Sequence, residues 1–154
     1  RLGRFDPEVA RQLGVPEGPL WGQIHRGKAV TLPDGRIVTP EAIVGPTRPG
    51  RTVVYSGDTR PCAGVREVSR GADLLVHEAT FGEDERARAA ETGHSTAREA
   101  ALLAREVGAR RLVLTHISAR YSRDAPELLA EASAVFPAVS IARDGMTVDV
   151  PFPD

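Results

Sequence analysis

Three apolar segments of the sequence each lead into polar residues whose side chains can bind metal or transfer protons. They are residues 53–56 leading to Asp58, 74–76 leading to His77 and Glu78, and 112–115 leading to His116. If these segments are strands of an α/β sheet, their side chains could converge in one crevice at the carboxyl ends of the strands. A fourth candidate, His94, stands just before a segment with the pattern of a capped helix. Carboxylates and imidazoles in such positions indicate a metallohydrolase, and the spacing alone indicates nothing narrower.

Each candidate also has a plain structural interpretation. An aspartate that follows a strand and a glycine, as Asp58 does, is more often a turn residue or a helix cap than a ligand. His116 could equally belong to a surface turn. His77 alternates with Glu78 along its segment, so we expect it to pack within its own layer, and His25, among prolines and glycines, should be solvated. Backbone N–H groups at the predicted helix start would favour a nearby phosphate.

Composition limits the classes of protein to which the chain can belong. Its 154 residues, 41% of them hydrophobic and 27% charged, are enough for a globular core. The single cysteine, Cys62, excludes an internal disulfide framework and a cysteine-rich zinc module, so any metal must be held by histidine and carboxylate. A net charge of −1 gives weak support to a nucleic-acid partner. The absence of a long apolar run and of a leader pattern favours a soluble, cytoplasmic protein with no membrane partner.

The first third of the chain has a different pattern from the remainder. Prolines and glycines punctuate residues 14–50, which predicts an extended arm rather than long elements. Within it, residues 29–32 and 36–38 flank Asp34 and Gly35, the pattern of a small hairpin. Because an isolated hairpin is only marginally stable in water, we expect the arm to be mobile unless it contacts a partner.

From residue 51 onward, apolar runs alternate with helical patterns, which is typical of βαβ units in an α/β layer structure. The predicted strands are 52–56, 73–77, 111–115, 139–142 and 146–150. The predicted helices are 61–70, 83–91, 96–107 and 125–135. The helix at 96–107 has the strongest pattern, because Ser95 or Thr96 can cap it and Gly108 follows as a stop.

Taken together and in order, these segments resemble ribonuclease Z. The shared segments are Tyr55-Ser56-Gly57-Asp58-Thr59-Arg60-Pro61, His77-Glu78-Ala79-Thr80, Gly93-His94-Ser95-Thr96, and Leu114-Thr115-His116 with Ser118-Ala119-Arg120-Tyr121. Residues 13–20 resemble the Gly-Pro motif of the family's tRNA-binding exosite, and residues 142–144 resemble its late Ala-x-Asp element. The resemblance implies an α/β fold, the C-terminal half of a metallo-β-lactamase αββα sandwich. Residues 1–50 would be a flexible tRNA-binding exosite arm, and 51–154 the C-terminal half of the catalytic domain.

The resemblance also implies a role for each candidate residue. Asp58 would bridge two zinc ions and His116 would bind one of them, while His94 would act near the leaving group. Glu78 would orient His94, and Arg98, one helical turn further on, would support this pair or the phosphate. The residues expected to contact substrate are Gly18, Pro19, Ser95, Thr96, Ser118, Arg120 and Tyr121. The reaction would remove the 3′ trailer of a tRNA precursor and leave a 3′-hydroxyl, in a homodimer where the arm of one subunit clamps the tRNA that its partner cuts.

One element of the family pattern has no counterpart in the sequence. The family's His-x-His-x-Asp-His motif normally lies upstream of the arm, and the dispersed His25, His77, His94 and His116 cannot replace it. We therefore expect the chain to begin inside a longer protein, as a fragment that alone neither holds two zinc ions tightly nor cleaves RNA. Two alternatives stay open: another metallo-β-lactamase-fold phosphodiesterase with the same late ligands, or a non-catalytic RNA-binding or dimerisation fragment.

Overall fold

The computed structural model describes residues 2–121 and 125–152. The chain divides into two units, one ending at Gly50 and the other spanning Arg51–Phe152. The first unit contains α1 (Pro7–Gln12), α2 (Pro19–His25), β1 (Val30–Thr31), β2 (Ile37–Val38) and a 3₁₀ turn at Pro40–Ala42. The second contains β3 (Val53–Tyr55), α3 (Ala63–Val68), β4 (Leu74–Glu78), a 3₁₀ turn at Glu83–Glu85, α4 (Arg86–Thr92), α5 (Ala97–Glu106), β5 (Leu112–Thr115), α6 (Pro126–Ser133) and β6 (Val139–Ile141).

The first unit folds around a small core of its own, so the expectation of an extended arm is wrong. Asp6 caps α1, its Oδ1 accepting the backbone N–H of Glu8 and Val9 at 2.9 and 3.2 Å. Pro7 and Pro19 each occupy the first turn of a helix, where a missing N–H is tolerated, so residues that resemble turn formers begin helices instead. The predicted hairpin is confirmed as antiparallel β1 and β2. The buried core side chains are Ala10, Val15, Ile24, Val30, Leu32, Val38 and Ile43.

The second unit is built on one parallel sheet in the order β3-β4-β5-β6. Its register places Tyr55 opposite Val76 and Glu78 opposite Thr115, so the carboxyl ends of β3, β4 and β5 lie at the same edge. Helix α5 packs on β4 and β5, and α6 packs on α5 and β6. Each fully buried leucine in this layer stabilises the fold by about 1.5–3 kcal/mol relative to an exposed one. These leucines are Leu75, Leu103, Leu112, Leu114 and Leu128.

Helix α5 fixes the position of the segment that precedes it. Thr96 Oγ1 accepts the backbone N–H of Glu99 at 3.1 Å, and Glu99 Oε2 accepts that of Thr96 at 3.0 Å, which is a complete capping box. One face of the helix is buried through small side chains, which lets the backbone approach the sheet closely. The residues of this face are Ala97, Ala100, Ala101, Leu103 and Ala104. The residues just before Thr96 are therefore held against the sheet edge where functional groups were expected.

Four of the five predicted strands and all four predicted helices are confirmed, with ends that differ from the prediction by at most three residues. The helix predicted at 83–91 opens on a 3₁₀ turn. The strand predicted at 146–150 is wrong. Its alternating apolar residues are typical of a strand, but arginine side chains bind two of its carbonyls. Arg111 donates to the carbonyl of Asp149 at 2.6 Å, and Arg51 donates to that of Val150 at 2.8 Å. Within the described ranges, no helix has the combination of length and apolarity that spanning a membrane requires.

Candidate functional site

Two of the predicted site residues meet at the carboxyl edge of the sheet. Asp58 lies in the loop after β3 and His116 directly follows β5, and Asp58 Oδ2 is 3.5 Å from His116 Nε2. Both side chains are about half exposed, at 56% and 47% respectively, so they are open to a ligand. His116 has a φ of 53°, the left-handed region that a non-glycine residue adopts at a cost of about 1–3 kcal/mol. Backbone strain of this kind clusters at functional sites.

His94 lies beside this pair. Its ring stacks on that of His116 with 5.3 Å between the centroids, and the edge of Phe81 packs against it at 6.2 Å. The residue stands between Gly93, whose φ of 79° ends α4, and the capping box of α5, so the chain fixes the backbone on both sides. With 24% of its side chain exposed, His94 can still reach a bound molecule.

Glu78 is a fully buried carboxylate at the end of β4, and five donors surround it. Its Oε1 accepts from the Thr59 N–H at 2.9 Å and from His94 Nδ1 at 2.8 Å. Its Oε2 accepts from the Ser95 N–H at 3.0 Å and from the N–H and hydroxyl of Thr80 at 3.2 and 2.8 Å. Burial raises the pKa of Glu78, but these hydrogen bonds together outweigh it and bring the pKa below its usual value. The carboxyl group is therefore ionised at neutral pH.

The ionised carboxylate decides the tautomer of His94. A carboxylate can only accept, so Nδ1 of His94 must be the nitrogen that bears a proton at this contact. Nε2 is then left as the nitrogen that gains and loses a proton. A carboxylate that fixes an imidazole ring in this way is an arrangement used in general acid–base catalysis.

Sequence reasoning missed the contact that Arg60 makes with this segment. Arg60 Nη1 donates to the backbone carbonyl of His94 at 3.0 Å, and its Nη2 donates to Glu99 Oε1 at 2.6 Å. Arg98, expected to support His94, is instead exposed. The charge of Arg98 acts on Glu131 instead, where it opposes the rise in pKa that burial causes. The only sequence signal for Arg60 was its place two residues after Asp58 in the shared Asp-Thr-Arg-Pro segment.

The start of α5 differs from the phosphate site that its sequence suggested. The N–H of Ser95 donates to Glu78, that of Thr96 to Glu99, and that of Ala97 to Phe81 O at 2.9 Å. The Ser95 hydroxyl donates to Thr59 O at 2.6 Å, and both predicted substrate-binding side chains, Ser95 and Thr96, are fully buried. These donors act within the protein, because two carboxylates and two backbone carbonyls accept them.

The loop after β5 forms one wall of a cleft of about 600 Å³, which Ser118, Tyr121 and His116 line together with residues 141–145. Tyr121 accepts the N–H of Gly82 on its hydroxyl at 2.7 Å, and burial raises the pKa of Tyr121. Ser118 Oγ accepts from Arg120 Nε at 3.2 Å.

The remaining predicted residues are engaged within the protein or lie on its surface. Arg120 pairs with Glu85 and lies over the Phe81 ring, so its charge is partly compensated inside the protein. Gly18 and Pro19 are exposed at the first turn of α2.

The two other histidines have the environments expected of them. His77 is fully buried, its Nδ1 lies 2.8 Å from Glu78 O, and burial lowers its pKa. His25 is exposed, with its Nε2 3.2 Å from Gly3 O.

The paired oxygen and nitrogen donors of Asp58 and His116 fit zinc, which binds carboxylate and imidazole. Their mutual distance of 3.5 Å and their exposure would let both atoms contact one ion. Zinc in proteins takes three or four protein ligands. The residues that the structure describes contain no group of three or more His, Cys, Asp or Glu placed to hold a metal. Asp58 and His116 therefore fit as part of a ligand shell.

Comparisons with known proteins agree with this geometry. Residues 35–117 match the family model of the beta-lactamase superfamily domain. Ribonuclease Z of Gemmatimonas aurantiaca is 59% identical over 150 residues, which cover 97% of this chain and 48% of the relative. Ribonuclease Z of Myxococcus xanthus is 57% identical over 155 residues, covering 100% of this chain and 50% of the relative. The chain thus spans about half the length of the curated relatives that it matches.

Two solved structures share the fold. The metallo-beta-lactamase fold protein YhfI from Bacillus subtilis is 36% identical with a TM-score of 0.56, over 62% of this chain and 38% of that one. The short form of human tRNase Z is 32% identical with a TM-score of 0.54, over 75% of this chain and 37% of that one. The expected fold class is confirmed. Because the family model covers more than half of the chain, the chain belongs to the beta-lactamase superfamily, and over nearly its whole length it resembles ribonuclease Z.

Proposed function

We propose that the protein is a zinc-dependent endoribonuclease of the ribonuclease Z type, which removes the 3′ trailer from tRNA precursors and leaves a 3′-hydroxyl. The observation that supports this best is the cluster that His94, His116 and Asp58 form. Glu78 holds the ring of His94, and that ring stacks on the ring of His116 with 5.3 Å between the centroids. His116 Nε2 in turn lies 3.5 Å from Asp58 Oδ2. A proton-transfer group beside metal-binding donors suits phosphodiester hydrolysis. The relatives named ribonuclease Z and tRNase Z suggest the substrate class.

Asp58 and His116 would hold the zinc. A carboxylate has two oxygens and can bridge two cations, whereas a neutral imidazole binds one, so Asp58 would be shared and His116 would serve a single ion. When bound, two zinc ions would supply a water activated near neutral pH and positive charge for the attacking and leaving oxygens of an in-line displacement at phosphorus.

His94 would protonate the leaving 3′-oxygen. The oxygen of a water molecule bonds to phosphorus and its proton passes to solvent, while the bond between phosphorus and the 3′-oxygen breaks and the phosphate stays on the trailer. The proton on His94 Nε2 completes the 3′-hydroxyl of the tRNA. Glu78 remains ionised throughout and holds Nδ1, so the ring cannot rotate to present the wrong nitrogen. The neutral ring then regains a proton from solvent, to which it is 24% exposed.

The substrate contacts are proposed on two separate surfaces. Ser118 and Tyr121 line the cleft beside His116, where the scissile end of the RNA would bind. The first unit, with Gly18 and Pro19 exposed, would act as the exosite for the body of the tRNA. Cations on this unit can neutralise phosphates, and the exposed ones include Arg4, Arg26 and Lys28. Arg11 and Arg36 are also exposed, but they pair with neighbouring carboxylates. We further propose that the protein is a homodimer, in which one subunit binds tRNA that its partner cuts, and that it acts in the cytoplasm.

The test measures cleavage of a precursor tRNA and of bis-p-nitrophenyl phosphate by the full-length protein and its His94→Ala variant. We expect the wild type to prefer precursor tRNA, and His94→Ala to lose about 10²-fold or more in kcat on it, the effect of removing a general acid. The nitrophenyl ester should be far less affected, because its leaving group departs without a proton. Glu67→Gln, an exposed carboxylate in α3, is the control.

Three outcomes would contradict the proposal. Preference of the wild type for the nitrophenyl ester would indicate a general phosphodiesterase. RNA binding without cleavage of either substrate would indicate a non-catalytic module. Equal losses on both substrates in the His94→Ala variant would mean that this residue does not protonate the leaving group.

A further inference from the structure

Arg60 connects the loop that contains Asp58 to the segment that contains His94. Its two terminal nitrogens donate in different directions, Nη1 to the carbonyl of His94 at 3.0 Å and Nη2 to Glu99 Oε1 at 2.6 Å. The second carboxylate oxygen of Glu99 accepts the N–H of Thr96 at 3.0 Å. Arg60 and Glu99 therefore bind the chain on both sides of Ser95, whose own N–H is held by Glu78.

The surroundings of this ion pair make it stronger than a surface contact. The side chain of Arg60 is 33% exposed and that of Glu99 only 10%, so solvent screens the pair incompletely. Arg60 uses a separate terminal nitrogen for each acceptor, whereas a lysine has all three of its donors on a single nitrogen at the end of a shorter head group. We therefore expect a lysine at this position to keep the charge but to lose one of the two contacts.

We propose that Arg60 is a positioning residue for His94. It sets the backbone of residue 94 relative to the Asp58 loop, and so holds the imidazole at its 5.3 Å stacking distance from His116. Arg60 acts through the backbone carbonyl, while Glu78 holds the ring itself, so the two contacts fix position and tautomer separately. The inference rests on the proposed function, because positioning has a kinetic effect only if His94 takes part in the reaction.

The chain offers a matched control for an ordinary ion pair. Arg66 Nε contacts both oxygens of Glu106 at 3.1 Å, with side-chain exposures of 40% and 56%. This pair also joins α3 to α5, the helix to which Glu99 belongs, but no contact recorded for Arg66 involves the His94 segment. A general stabilising role would make Arg60 and Arg66 behave alike.

The experiment compares Arg60→Met, Arg60→Lys and Arg66→Met in the full-length protein. We expect Arg60→Met to lower kcat on precursor tRNA about tenfold, the effect of one ordinary hydrogen bond, with KM changed less than about twofold. Arg60→Lys should keep the melting temperature near that of the wild type yet still lose about threefold or more in kcat, because the carbonyl contact is gone. Arg66→Met should leave kcat unchanged.

Hydrogen exchange at the Ser95 and Thr96 amides gives a readout that does not depend on RNA cleavage. Both amides should exchange faster in Arg60→Met and Arg60→Lys than in the wild type and Arg66→Met. Exchange rates in the Arg60 variants that equal those of the wild type would overturn the inference. It would also be overturned if kcat fell in proportion to the melting temperature, and to the same extent, in the Arg60 and Arg66 variants. If the wild type does not cleave precursor tRNA, the proposed function fails, while the exchange data still decide whether Arg60 positions the segment.

Discussion

Replacing Glu78 by glutamine tests the buried carboxylate that organises the site. The amide has nearly the same shape, but it replaces one acceptor oxygen with an NH₂ group. If the NH₂ takes the place of Oε1, it faces the donors of Thr59 and His94; if it takes the place of Oε2, it faces those of Ser95 and Thr80. In the first orientation the Thr59 N–H loses its acceptor, while His94 can accept from the amide only by moving its proton from Nδ1 to Nε2. In the second orientation the N–H groups of Ser95 and Thr80 lose theirs. At least one backbone donor is therefore left without an acceptor.

The magnitude follows from the cost of a buried donor without a partner, about 1–3 kcal/mol each. Because the amide can adopt the orientation that leaves the fewest donors unpaired, we expect Glu78→Gln to lower the free energy of unfolding by about 1–3 kcal/mol at pH 7, measured by urea titration. Glu67→Gln, at an exposed position in the same unit, should change it by less than about 0.5 kcal/mol.

The same variant has an expected pH dependence. Because the pKa of Glu78 is lower in the folded protein than its unfolded value of about 4.3, its ionisation stabilises the fold above that pH. This stabilisation is lost as the pH falls from about 4.3 through the folded pKa, since protonated Glu78 resembles glutamine. The difference in the free energy of unfolding between the wild type and Glu78→Gln should therefore become smaller below about pH 4.3. A difference at pH 7 as small as that of Glu67→Gln, or one that widens in acid, would refute the reasoning.

Two further expectations concern the capping box and the first unit. Thr96→Ala should cost about 1 kcal/mol in urea unfolding while Thr96→Ser costs little, because only the hydroxyl caps α5; equal costs would exclude the cap as the cause. Deleting residues 2–50 should weaken precursor-tRNA binding at least about tenfold, since it removes cations that neutralise phosphates, and should leave turnover of bis-p-nitrophenyl phosphate nearly unchanged. Equal losses on both substrates would contradict an exosite role.

Local sequence signals predicted the parts of the fold and site that depend on neighbouring residues. The sequence predicted Ser95 or Thr96 as the cap of α5, and the structure has Thr96, whose hydroxyl binds a backbone N–H three positions on. The convergence of Asp58 with His116 follows from where two parallel strands end. Such features are fixed by short spacing or by a general property of parallel sheets, so they are accessible from the sequence.

Contacts between distant segments were not accessible in this way. Arg60 meets His94 and Glu99, which lie 34 and 39 residues further along the chain, and no periodic pattern indicates such a pairing. The helices of the first unit were missed because Pro7 and Pro19 are equally typical of a turn and of a first helical position.

The most direct test of the account is the zinc content of the full-length protein and of its His116→Ala variant, measured by native mass spectrometry with Glu67→Gln as the control. Because His116 is proposed to bind zinc beside Asp58, the wild type and the control should retain two ions, and His116→Ala should lose at least one at the same free zinc concentration. Retention of two tightly bound ions by His116→Ala would contradict the assignment of this pair as the zinc-binding part of the site.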